Sequence, residues 1–160
     1  MPYSAPAHET TSDWRVTLGL YRNVLAIVCA LTVLQGATAA LSVMIALSLQ
    51  AAGASNAALG LVAACYAGGF LTGAIASPKQ ITRIGHIRSF SFFAALAIIA
   101  TLSFTLGVSI IGWALVQAII GVSTAALLTA GDSWITDSAP SNRRGAILGF
   151  YHVVAKLGAI

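Results

Sequence analysis

Lys, Arg, Asp and Glu are absent between Asn23 and Pro78 and again between Ser89 and Gly131. Over the whole chain only 8% of residues are charged and 58% are hydrophobic, which excludes an ordinary soluble domain, where about a quarter of residues carry charge. Cysteine is almost as scarce. Cys29 and Cys65 both lie inside apolar runs, so they supply neither a disulfide framework nor a thiolate metal site. No His, Asp or Glu cluster and no nucleophile-base spacing stands out, and neither an enzyme nor a bound metal or cofactor is expected. The formal charge of +4 comes from basic residues in a tail, two short loops and the C-terminal segment. That scatter gives no single basic face for nucleic acid.

What is present is apolar length. As one helix the first charge-free stretch would reach about 80 Å and the second about 65 Å, against a hydrocarbon core of about 30 Å. Each must cross a membrane twice. The Gly-, Ser- and Asn-bearing segment from Gln50 to Asn56 divides the first stretch, and Gly107 to Ser109 divides the second. The expected fold is an all-α membrane bundle. Its spans are residues 24–49, 57–77, 89–108 and 110–131, followed by an incomplete fifth over 145–160. Residues 1–22 form an N-terminal tail and residues 23–160 the bundle. The first span is too long for a secretory signal, whose apolar core runs about 7 to 15 residues.

Orientation follows from the cations. Arg15 and Arg22 precede the first span, Lys79, Arg83 and Arg88 occupy the second loop, and Arg143 and Arg144 the fourth, while the first and third loops have none. The positive-inside rule then places the N-terminus and these loops in the cytoplasm. In the tail, Trp14, Leu18 and Tyr21 recur at helical spacing after Ser12 and Asp13, which suits either a short interfacial helix or a disordered leader.

Small residues mark close packing. Gly60, Ala64, Gly68, Thr72 and Ala76 repeat every fourth position in the second span, with Gly69 and Gly73 beside them. Such a strip lets another helix approach closely. Polar residues are rarer. Thr32, Gln35, Thr38 and Ser42 share a face of the first span, and Trp113, Gln117, Gly121 and Thr124 share one on the fourth. An amide turned to lipid would leave its donors and acceptor unmet, so Gln35 and Gln117 face protein or water. They either line a cavity or bond across helices.

The loop from Lys79 to Arg88 resembles the signature between helices two and three of the major facilitator superfamily. Arg83, Gly85 and Arg88 match it, while Pro78 stands at the leading glycine and Thr82 at the acid. Asp132-Ser133, followed by Asn142-Arg143-Arg144-Gly145 and Tyr151, resembles the end of helix four in a bacterial subgroup with an acidic-Ser pair there. Gln117, four residues before Gly121, occupies the place of a basic residue found in many members. The resemblance covers residues 25–160. It implies a secondary active transporter of small molecules in a bacterial inner membrane. Alternating access would be completed by further helices, since the family has twelve and this chain supplies about four and a half. The chain is thus expected to be an N-terminal fragment, inactive alone.

Two groups of charges then acquire candidate roles. Asp132, at the expected end of the fourth span, meets an unfavourable helix dipole. It either pairs with one of Arg83, Arg88, Arg143 and Arg144 around Gly85, forming a cytoplasmic gate, or is a solvated loop carboxylate. Lys156, one helical turn after His152, lies either near mid-membrane as a site for an anionic substrate or at a snorkelling helix end. Gln35, Gln117 and Lys156 are the candidate substrate contacts. The alternatives are a four-helix multidrug-type exporter working as a dimer and a non-catalytic membrane subunit.

Overall fold

The computed structural model describes residues 10–107 and 109–138, together with 145, 149 and 153. Its described residues form helices and turns without a strand. Helix α1 spans Thr10–Ala51, α2 Asn56–Ile84, α3 His86–Ser103 and α4 Ile110–Ser138, with a 3-10 turn at Phe104–Leu106 before α4. Among the described residues four segments are long and apolar enough to cross a membrane: Leu25–Ala51, Asn56–Ile84, His86–Leu106 and Ile110–Asp137. The expected fifth span, residues 145–160, falls largely outside the described residues.

Three boundaries differ from the sequence expectation, each for a backbone reason. Helix α1 starts at Thr10 and runs without interruption into the apolar span, so the tail and first span share one helix from that point. Helix α2 passes through Pro78 and ends only at Ile84. Proline removes one donor, leaving the Ala74 carbonyl without its usual partner, and the ladder resumes beyond it to Ile84. The supposed loop from Lys79 to Arg88 is therefore mostly helix, with Gly85 as its corner. Gly85 has φ +87°, and its N–H donates to the Ile81 carbonyl at 2.9 Å. A side chain at that φ would be strained. Helix α4 continues past the first charge, Asp132, to Ser138.

Short connections make the helices alternate in direction. One end of the bundle holds the α1–α2 turn, where the Ser55 hydroxyl accepts from the Ala58 N–H. The α3–α4 turn lies at the same end. There Ile45, Leu49, Val62, Trp113 and Ala114 form a buried cluster flanked by Phe104. At the opposite end Ile27, Val28 and Leu31 of α1 pack with Ile135 of α4. Between them Phe93 of α3 meets Ala126 and Leu127 of α4.

Helix α4 is the centre. Its most apolar window is 56% buried, against 11% to 17% for the other three helices. Lipid tails are as apolar as leucine side chains, so close van der Waals fit rather than water exclusion must hold such helices together. Glycines supply that fit on the α2–α4 seam. A Cβ added at Gly69 would meet the Ala118 backbone, one at Gly73 would stand 2.6 Å from the Val122 carbonyl oxygen, and one at Gly121 would meet the Tyr66 and Phe70 backbones. The two main chains touch at these points. Gly60 and Gly68 have nothing within 4 Å of the corresponding position, so these two expected packing residues lie off the seam. The contact stripe is rotated by about one residue, a turn of roughly 100° around the helix.

Candidate functional site

Polar side chains on apolar membrane-length helices need a partner, and the described residues meet this need in three ways. On α1, the Thr32, Thr38 and Ser42 hydroxyls each donate to the carbonyl four residues earlier, at 2.8, 2.8 and 2.9 Å. That face satisfies its donors within one helix. On α4, Thr124 is fully buried, and its hydroxyl faces the Tyr66 side chain of α2. That is a polar contact across helices. Gln117, 5% exposed, takes the third course. Its carboxamide has no hydrogen-bond partner among the described residues and lines a cavity of about 130 Å³ between α1, α2 and α4.

The cavity is amphipathic. Ser42, Tyr66 and Gln117 contribute polar atoms, and Ile45, Leu49, Leu59 and Val62 much of the apolar wall. At 1.5 Å per residue, its polar groups lie about 10 to 15 Å from the end of the bundle that carries the α1–α2 turn. No described lining residue is charged. Gln35 is half-buried on α1 and is not among the lining residues. The two glutamines therefore do not form one polar wall. Tyr66, not anticipated from sequence, takes its place. Its signal was faint, since a lone tyrosine in an apolar helix gives no periodicity; only its position three residues before Gly69 and four before Phe70 sets it on the α4-facing side.

At the opposite end lie the described members of the candidate gate, Arg83, Gly85, Arg88 and Asp132. Asp132 lies six residues before the end of α4, where the Thr136 hydroxyl donates to its carbonyl at 2.7 Å. The carboxylate in the last turn is Asp137. Its Oδ2 lies 3.5 Å from His86 Nε2 at the first position of α3. Each charge would sit at the helix end whose dipole disfavours it, and pairing offsets that cost. The two side chains are 36% and 67% exposed, so the pair contributes at most about 1 kcal/mol. Arg88, Gly85, His86 and Trp134 line a shallow depression beside this corner, whereas Arg83 is an exposed side chain of the last α2 turn. Arg143, Arg144 and Lys156 lie outside the described residues.

Among the described residues no three His, Cys, Asp or Glu side chains converge on a point that could hold a metal ion. The described residues form an all-helical bundle with four membrane-length apolar helices, three of which, α1, α2 and α4, line the cavity. No protein-family model, curated protein or solved structure matches this chain.

Proposed function

We propose that the chain forms the first helices of a secondary active transporter of the major facilitator type, moving a small solute across a bacterial inner membrane by alternating access. One observation carries this reading: the Gln117 carboxamide, without a hydrogen-bond partner among the described residues, lines a cavity between membrane-length helices. An amide in such surroundings costs free energy unless water or a ligand meets it, and a bundle serving only as a scaffold gains nothing from retaining it. The motif resemblance around Arg83, Gly85 and Arg88 supports the family, and Gly85 makes the sharp corner that separates two rigid helices. Opposed helix bundles rocking about a midplane site are the ordinary way such folds alternate.

The test is water access. A cysteine replacing Ser42, in a background without Cys29 and Cys65, is expected to react with a water-soluble thiol reagent from one side of the membrane. A residue in dry packing would stay inert, and inertness from both sides would refute an aqueous pathway. Residues 1–160 alone in proteoliposomes are expected to accumulate no solute above empty vesicles, because the pathway needs the remaining helices. Accumulation would favour the dimeric exporter instead.

Orientation makes a separate prediction. With the cationic corner in the cytoplasm, cysteines at Ser55 and Ser109 are expected to label with an impermeant reagent added outside intact cells. A cysteine at the exposed Thr82 is expected to label only after permeabilisation. The reverse pattern would invert the topology.

A further inference from the structure

The lining of the cavity also says what kind of solute it takes. A glutamine side chain offers one acceptor and two donors in a plane. With no protein partner among the described residues, its hydrogen-bonding edge is open toward the cavity. A planar group carrying one donor and one acceptor side by side closes two hydrogen bonds with that edge at once. Primary carboxamides and lactams have this pattern. A carboxylate has only acceptors and an ammonium only donors, so each leaves half of the glutamine edge unmet and brings a net charge into a cavity whose described lining holds no counter-charge. The rest of the wall, including Ile45, Leu49 and Val62, suits an apolar body. The volume of about 130 Å³ approaches that of the engineered cavity of about 150 Å³ that holds a benzene ring.

We propose that Gln117 is the recognition group of a subsite for uncharged planar carboxamides or lactams borne on a small apolar ring. The proposal rests on the transport reading of the same cavity, deepens it to a ligand class, and turns away from the anionic substrate suggested by Lys156.

The probe is radiolabelled benzamide, with benzoate and benzylammonium as charged counterparts of similar size. Binding is measured by equilibrium dialysis on the full chain in lipid nanodiscs. Benzamide is expected to bind saturably, and benzoate and benzylammonium at least about tenfold more weakly, the worth of roughly one lost or unmet hydrogen bond. Gln117→Leu is expected to weaken benzamide by about tenfold or more. The same substitution is expected to leave thermal stability unchanged or raised, since it removes a polar group that no described residue hydrogen-bonds. Ala46→Phe, which fills the cavity from α1 without touching the amide, is expected to abolish binding.

Equal binding of the three probes, no binding of benzamide, or wild-type binding by Gln117→Leu would each overturn the subsite. A destabilised Gln117→Leu that still binds would assign the amide to packing. The two readings separate cleanly. Gln117-dependent benzamide binding with an inert Ser42→Cys leaves the subsite standing and removes the transport pathway. A reactive Ser42→Cys without benzamide binding does the reverse.

Discussion

Gly121→Val is expected to separate α2 from α4 and to lower the stability of the bundle by about 3 kcal/mol, the upper end of the usual cost of overpacking. The added Cβ would run into the Tyr66 carbonyl and the Phe70 amide nitrogen. Both are backbone atoms inside a helix, so no rotamer change relieves the clash. The helices must move apart, and every contact along the seam is then weakened together. In lipid no hydrophobic force drives them back. Gly69→Val is expected to behave alike, because its Cβ meets the Ala118 backbone. Gly68→Leu, one residue away and facing open space, is expected to stay within about 0.5 kcal/mol of the parent. Unfolding by sodium dodecyl sulfate in mixed micelles, with membrane yield alongside, gives the three values. A Gly68→Leu variant as damaged as Gly121→Val would mean that α2 presents a different face to α4.

That contrast also marks how far the sequence was legible. Absence of charge located all four membrane-length helices, because burying an unpaired ion in hydrocarbon is costly enough to leave a visible gap. Charge marks where a span leaves lipid, however, not where a helix ends. Helix α2 stops at Gly85, which the backbone requires, and α4 runs on to Ser138. The span boundary expected at Gly131 therefore falls short of the helix end, and the carboxylate in the last turn is Asp137. On the α2 seam, a four-residue repeat of small side chains was plain, but Gly68 and Gly69 are adjacent and support two stripes about 100° apart. The choice depends on where Gly121 and Ala118 lie in the partner, which one helix does not contain. Gln117 was legible because a buried amide is expensive wherever it sits. Tyr66 was not, since its role depends on Thr124 lying opposite.

Trp113→Ala is the other substitution expected to act strongly, with a loss of about 3 kcal/mol. Trp113 is 6% exposed and packs in the cluster with Ile45, Leu49 and Val62. Its Nε1–H donates to the Gly107 carbonyl at 2.9 Å, and its ring meets Phe104 edge-on at 5.1 Å. One side chain thus ties the turn between α3 and α4 to the first turn of α4, beside the apolar wall of the cavity. Gly107, at φ +131°, ends the 3-10 turn in a conformation that few other residues adopt. Its carbonyl is positioned for the indole by that geometry. Truncation to alanine in a soluble core costs about 3 to 5 kcal/mol. The lower end applies here, because lipid tails fill part of the void that water would avoid. Trp113→Phe keeps most of the packing and the aromatic contact but removes the donor, so a loss of about 1 kcal/mol is expected. Unfolding in mixed micelles measures both, and trypsin sensitivity after reconstitution reports whether the turn has loosened. A Phe variant as unstable as the Ala variant would assign the turn to the hydrogen bond alone. Parental stability in both would show that α3 and α4 are held by the Phe93 to Leu127 packing without help from this corner.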